Sequence, residues 1–257
     1  MRKLAVFMFM LFCWKHAMAY RITEDFSKGF YWASLPISFI VMDSNQSRLD
    51  TINAMTQDAV QEWESYIFSD NINDLWNVNS QLGSPVSNRN IIRWSTKFAA
   101  ETGLNESTTL AVAIRYTGGP YVARAEIIIN GNHPINSFPE QLKTVLTHEL
   151  GHTLGLDHSD VGAAVMAPTI QIPYYGLHSD DLSGMNYTVS ETRRRQIIGY
   201  VSPLSKQTTS ESSPLSCGTV DLSGGGGSGP GNPMVSLGLG LLLALAALAP
   251  GLKRRRV

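Results

Sequence analysis

Cysteine is nearly absent from this chain: two occur in 257 residues, and Cys13 falls within an apolar N-terminal stretch, leaving only Cys217 beyond it. A scaffold held by disulfides is excluded, so stability must come from a packed core. A lone exported cysteine can stay free, be modified or pair between chains. Charged residues are sparse at 16%, and the 20 Lys and Arg are balanced by 21 Asp and Glu. Setting aside the basic residues of the two ends (Arg2, Lys3, Lys15, Lys253, Arg254, Arg255 and Arg256) leaves 13 against 21, a net charge of −8. A field of that sign repels a phosphate backbone, which excludes nucleic acid as a partner. No Asp-x-Asp-x-Asp run occurs, so no side-chain calcium loop is written here; calcium held by carbonyls stays open. Histidine is scarce too, six in all, yet three of them crowd into eleven residues.

The ends read as targeting segments. Residues 1–19 have a basic start, an apolar run over 4–14 and a small-x-small site at Ala17-Met18-Ala19, the order of a secretory signal. Export to the cell surface or beyond is the expectation. Residues 201–233 are rich in Ser, Gly and Pro and read as a linker. Residues 234–257 follow with an apolar stretch over 234–249 and a basic cluster over 253–256. At roughly sixteen residues that stretch is short for a membrane span. Its order resembles bacterial C-terminal sorting tails of the GlyGly-CTERM type; a glycosylphosphatidylinositol signal and a permanent tail anchor are the alternatives.

The chemistry sits at residues 148–158, His-Glu-Leu-Gly-His-Thr-Leu-Gly-Leu-Asp-His. On a helix His148 and His152, four apart, leave one face about 5–6 Å from each other and can grip one ion. Glu149 projects beside the metal, where it can take a proton from water. Gly155, which tolerates the left-handed conformation, ends the helix and turns the chain so that His158 returns as third ligand. Three ligands leave a position open, as a catalytic zinc requires.

These residues resemble the metzincin metalloproteases, whose signature is His-Glu-x-x-His-x-x-Gly-x-x-His followed by a methionine turn. Met166, in Ala164-Val165-Met166-Ala167-Pro168, supplies the methionine, and its thioether is expected as a floor beneath the imidazoles. Within the metzincins the chain looks like the matrixins: Ser159 follows the third histidine, and residues 177–185 are similar to their closing helix. Pro168 and Ile170 stand where relatives carry tyrosines. The resemblance implies an α+β catalytic domain over 20–200, with a twisted mixed sheet packed by helices, and a zinc-dependent endopeptidase acting as a monomer on protein or peptide substrates. Matrixin zymogens block their zinc with a propeptide cysteine in Pro-Arg-Cys-Gly, which this sequence lacks. Their structural zinc and calcium use a His- and Asp-rich loop; the equivalent residues 116–124 have neither type, so a single catalytic zinc is expected.

Strands are expected over 35–42, 90–94, 109–114 and 123–130, with a helix after the first, capped by Asp50 or Thr51 and buried through Ile52, Met55, Ala59, Val60 and Trp63. Residues 70–90 read as a loop. The strand 123–130 is expected beside the active helix, with a free edge for a substrate strand and Ile127 and Ile129 at the cleft; a central strand is the alternative, given its isoleucine run. Ser137 and Glu140 suggest a capping box opening the active helix at Pro139. Pro168, Ile170, Ile172, Pro173 and Tyr174 suggest an apolar wall for the substrate side chain beyond the scissile bond. A zinc-stabilised binding module without activity and a hydrolase of a non-peptide amide are the rival functions. Arg193, Arg194 and Arg195 read as a solvated helix face.

Overall fold

The structure, a computed structural model, describes residues 20–67, 75–86, 88–170 and 174–199, and the backbone of one further strand, 214–221. The signal-like residues 1–19 and the apolar stretch 234–249 lie outside the described residues. Among the described residues no helix is long and apolar enough to cross a membrane.

The elements run α1 (Glu24–Ser27), β1 (Tyr31–Trp32), β2 (Ile37–Asp43), α2 (Gln46–Glu64), β3 (Trp76–Leu82), β4 (Ile91–Ser95), α3 (Phe98–Thr102), β5 (Thr109–Gly118), β6 (Tyr121–Asn130), a 3-10 turn (Pro134–Ser137), α4 (Pro139–Thr153), α5 (Ser179–Ile198) and β7 (Pro214–Asp221). The sheet has the order β3-β2-β4-β6-β5-β7, and β1 pairs with the start of β6. The pairs β2/β3, β2/β4 and β4/β6 are parallel, whereas β5 is antiparallel to β6. This is the mixed, helix-packed α+β architecture expected.

One core sits between the sheet and two long helices. Phe39, Val41, Ile92, Ile127 and Ile129 meet Ile52, Val60 and Trp63 of α2 and Leu142, Leu146 and Leu150 of α4. On the other face Ile128 and Val112 pack with Phe98 of the short α3. Coverage on both faces explains why β6 reads as an unbroken apolar run.

That coverage corrects one expectation. β6 is central, bonded to β4 along one side and β5 along the other, and Ile127 and Ile129 have no exposed surface. They cannot border a cleft. β5 is the strand beyond β6, reached by a tight hairpin at Gly118-Gly119-Pro120 with Gly119 at φ +59°.

Three further expectations give way. The loop reading of 70–90 misses β3, whose Trp-Asn-Val-Asn-Ser-Gln-Leu is polar because one edge and much of its surface face solvent. α2 begins earlier than Asp50: Asn45 is its cap, accepting from the Arg48 N–H at 2.9 Å. α4 has no side-chain cap, its first turn following Phe138 and the 3-10 turn, so Ser137 and Glu140 form no capping box. The capping box lies instead on α5, between His178 and Asp181. Part of the expected linker, 214–221, is a strand, because a sheet edge offers unpaired backbone groups that even a Ser- and Gly-rich segment can satisfy.

Candidate active site

α4 carries the first half of the site in its last turns. His148, Glu149 and His152 have no exposed surface, and the two imidazoles stand edge to face with centroids 4.5 Å apart. Three indoles hold the helix carrying them. Trp63 donates to the Thr147 carbonyl at 2.8 Å, Trp32 to the Thr153 carbonyl at 2.7 Å, and Trp76 to the Thr153 hydroxyl at 3.0 Å. The buried Thr153 carbonyl at the helix end must find a donor, which Trp32 supplies, and the other two bonds help to fix helix position.

Gly155 follows at φ +97°, with no room for a side chain: a Cβ there would lie 2.3 Å from the Phe26 ring. The turn is pinned by the N-terminal segment. Thr23 N–H bonds the Gly155 carbonyl, Ile22 bridges Leu156, and Asp157 N–H bonds the Arg21 carbonyl. His158 is thereby brought to centroid distances of 5.3 Å from His148 and 5.1 Å from His152. Under the ligands, Met166 is buried, and a Cβ on Gly151 would lie 2.4 Å from its sulfur, so this glycine admits the thioether against the helix between the two histidines. Asp181 holds that turn by accepting from the Val165 and Met166 N–H groups at 2.9 and 3.0 Å.

One buried network had no sequence signal. Arg115 of β5 and Asp25 of α1 are both buried; the guanidinium gives Nε to Asp25 Oδ2 at 2.7 Å, another nitrogen to Oδ1, and a third to the His152 carbonyl. Burial raises the Asp25 pKa, but Arg115 and Thr23 outweigh it and the carboxyl ends below its usual value. A charged residue in an apolar strand has no partner visible in the sequence, since Asp25 lies ninety positions away.

The donor set fits a cation. Candidate ligand nitrogens of His148, His152 and His158 all lie within 4.8 Å of one another. His148 Nδ1 meets the Val165 carbonyl and His152 Nδ1 the Leu156 carbonyl, each at 2.7 Å. A carbonyl offers only lone pairs, so both hydrogens sit on Nδ1 and both Nε2 atoms are bare. These two Nε2 atoms face each other at 2.9 Å. Tetrahedral zinc with nitrogens at about 2.0–2.1 Å separates them by about 3.3 Å. Neither ring escapes by protonating: burial, then the neighbouring His158, pulls His148 down to about 3, and burial with both neighbouring histidines pulls His152 well below its normal value. Opposed lone pairs in a dry site call for a positive ion. Burial pushes the Glu149 carboxyl well above the usual range; the Ala113 backbone N–H opposes the shift without satisfying the oxygens. A carboxyl tuned upward can both take and return a proton.

A cavity of about 260 Å³ is lined by Val165, whose carbonyl meets His148, and by Thr144, Ile170, Tyr174, Leu177 and His178 among others. Ile170 and Tyr174 line this cavity, exposed Pro168 does not, and Ile172 and Pro173 fall outside the described residues. Tyr174 donates to Glu62 at 2.7 Å, and Lys143 pairs with the same carboxylate at 2.9 Å. Burial, then Glu62, raises the Tyr174 pKa, so this phenol stays a donor. Arg195 departs from the solvated face expected of the triplet, its guanidinium lying 4.2 Å from the Tyr31 ring centre.

Three imidazoles, an adjacent buried carboxylate and a side-chain cavity define a zinc hydrolase site on a metzincin-like fold. Comparison with known proteins agrees: the family model described as Matrixin matches residues 31–188. The chain belongs to the matrixin family of zinc-dependent metalloendopeptidases. It is similar to matrilysin of Rattus norvegicus, 59% identical over 39 residues, covering 15% of this chain and 13% of that protein. Matrix metalloproteinase-19 of Homo sapiens is 44% identical over 46 residues, 17% and 9% of the two chains. Matrilysin of Mus musculus is 50% identical over 42 residues, 15% and 16%. The chain thus spans less than a fifth of the length of these relatives.

Proposed function

We propose that this protein hydrolyses internal peptide bonds of extracellular or cell-surface proteins, with His148, His152 and His158 holding one zinc and Glu149 as general base. The observation that carries it is the pair of buried, bare Nε2 atoms on the helix that also carries a buried carboxylate, which only the Ala113 N–H approaches among the described residues. When bound, zinc supplies a Lewis acid that polarises the scissile carbonyl and acidifies a water. Glu149 takes the proton of that water as it attacks. The same carboxyl then delivers the proton to the leaving amine. Met166, the three indoles and Arg115 keep the ligands in place. The cavity beyond Thr144 receives a substrate side chain, and its Ile170 and Leu177 favour an apolar one.

The signal-like residues 1–19 support export, and the apolar and basic tail supports attachment to a membrane before any processing. The intact Glu149 argues against an inactive binding module. Glu149→Gln keeps the shape of the side chain and removes its basicity, so the variant retains zinc and loses at least about a hundredfold in kcat/KM on a quenched peptide. Cleavage at the parental rate refutes the assignment.

A further inference from the structure

β5 lies next to α4, and the backbone N–H of its Ala113 reaches toward Glu149. A peptide joining the sheet there brings its backbone past the general base. The outer edge of β5 is already taken, by the chain itself. β7 runs antiparallel to it, with Pro214 opposite Tyr116, Cys217 opposite Ala113, Thr219 opposite Val112 and Asp221 opposite Thr109.

The register is irregular at two places, between Thr109 and Val112 and between Val112 and Ala113, and the second lies where the chemistry is. From Ala113 to Val112 β5 steps one residue while β7 steps two, so Gly218 is extra and the ladder breaks level with Glu149. A carbonyl must leave the ladder before water can attack it, and a bulge at that level frees one. The strand direction also suits the cavity. Ile170, which lines it, packs with Leu110 and Ala111, so the cavity lies toward the end of β5 along which residues 219–221 run. In the same structure Glu149, His148 and His152 have no exposed surface, and His158 is partly exposed.

We infer that residues 214–221 are a substrate held in cis, and that the enzyme hydrolyses its own backbone at Gly218, through the Cys217–Gly218 or Gly218–Thr219 bond. This rests on the peptidase reading above. One water adds across the amide, leaving a carboxylate on the preceding piece and an amine on the following one. The cut separates the catalytic residues from the Gly-rich run 224–227 and from the apolar stretch beyond it. A tethered strand has an effective concentration on the order of mM, so it is cut before most substrates in trans.

The test uses the full chain, loaded with zinc, and its Glu149→Gln variant, each incubated at two concentrations a hundredfold apart. Intact-mass measurement should find two pieces of the parent, the second starting at Gly218 or Thr219, formed at a rate independent of concentration, while Glu149→Gln stays whole. Hydrogen exchange of Glu149→Gln should show protected β5 amides that lose protection at least tenfold when 214–221 is replaced by Gly and Ser. A parent that digests casein yet stays intact, is cut elsewhere, or is cut in proportion to its concentration overturns the inference and leaves the peptidase reading standing. Equal β5 exchange in the two proteins overturns it as well. A parent that cuts neither casein nor itself removes the peptidase reading first.

Discussion

Replacing Arg115 by Met removes the charge from beneath the zinc helix while keeping most of its length. Asp25 is then left buried without its counter-ion, keeping only the Thr23 hydroxyl and a backbone N–H, and breaking a buried pair from one side costs about 3–5 kcal/mol. Protonation caps the carboxylate's share. To become neutral at pH 7, Asp25 must climb from an unfolded pKa of about 3.9, roughly three units at 1.36 kcal/mol each, or about 4 kcal/mol. The His152 carbonyl also loses a donor, so the full penalty sits near the upper end of the range. For a domain of this size that lowers Tm by about 6–20 °C. The pH profile separates the ion pair from ordinary packing. In the parent the Asp25 pKa is lowered on folding, so its contribution is full above about pH 4 and is lost as pH falls through the depressed value. In the variant a buried, unpaired Asp25 has a raised pKa, and folding takes up a proton. The gap between the two proteins therefore narrows by about 1.4 kcal/mol per pH unit from 7 toward 4. Urea titration at pH 7, 6 and 5 measures it, with the double variant Asp25→Asn/Arg115→Met as control, which should recover most of the loss. A penalty under about 1 kcal/mol, or one unchanged between pH 7 and 5, refutes the reasoning.

Gly155→Ala forces a side chain into the left-handed region, about 1–2 kcal/mol, and onto the Phe26 ring, so the turn carrying His158 should shift. Zinc affinity should fall at least tenfold by competition with a chromophoric chelator; an unchanged affinity would detach the turn from the third ligand. Ile170→Trp fills part of the 260 Å³ cavity, and a peptide library should then move from large toward small apolar residues on the leaving-amine side of the bond. An unchanged preference would place the side-chain subsite elsewhere.

The three histidines that could hold an ion were legible because their spacing is local: His148 and His152 are one helical turn apart, and Gly155 marks the turn, although the residues that pin it, 21–23, lie far along the chain. The parallel strands were legible where apolar residues cluster, as at 37–43 and 91–95. What failed depended on neighbours far along the chain. Three isoleucines in β6 fit either an edge beside a cleft or a strand covered on both faces, and only pairing with β4 and β5 decides for the second. β3 escaped notice because one side of it is bonded and the rest is wet, which leaves a polar sequence. Arg115 and Asp25 explain each other only once folded, and the role of β7 depends on an edge that belongs to β5. Trp63 reads as a core aromatic, Trp76 falls in the segment read as a loop, and the donation of these two and of Trp32 to α4 is a directional task that composition does not reveal.

Metal content of the exported chain, read by native mass spectrometry alongside its His148→Ala and His152→Ala variants, tests the central claim most directly. One zinc per parent chain, absent from both variants at equal folding, is the predicted result. A parent that folds and cleaves peptides without zinc, or variants that keep it, would contradict the account.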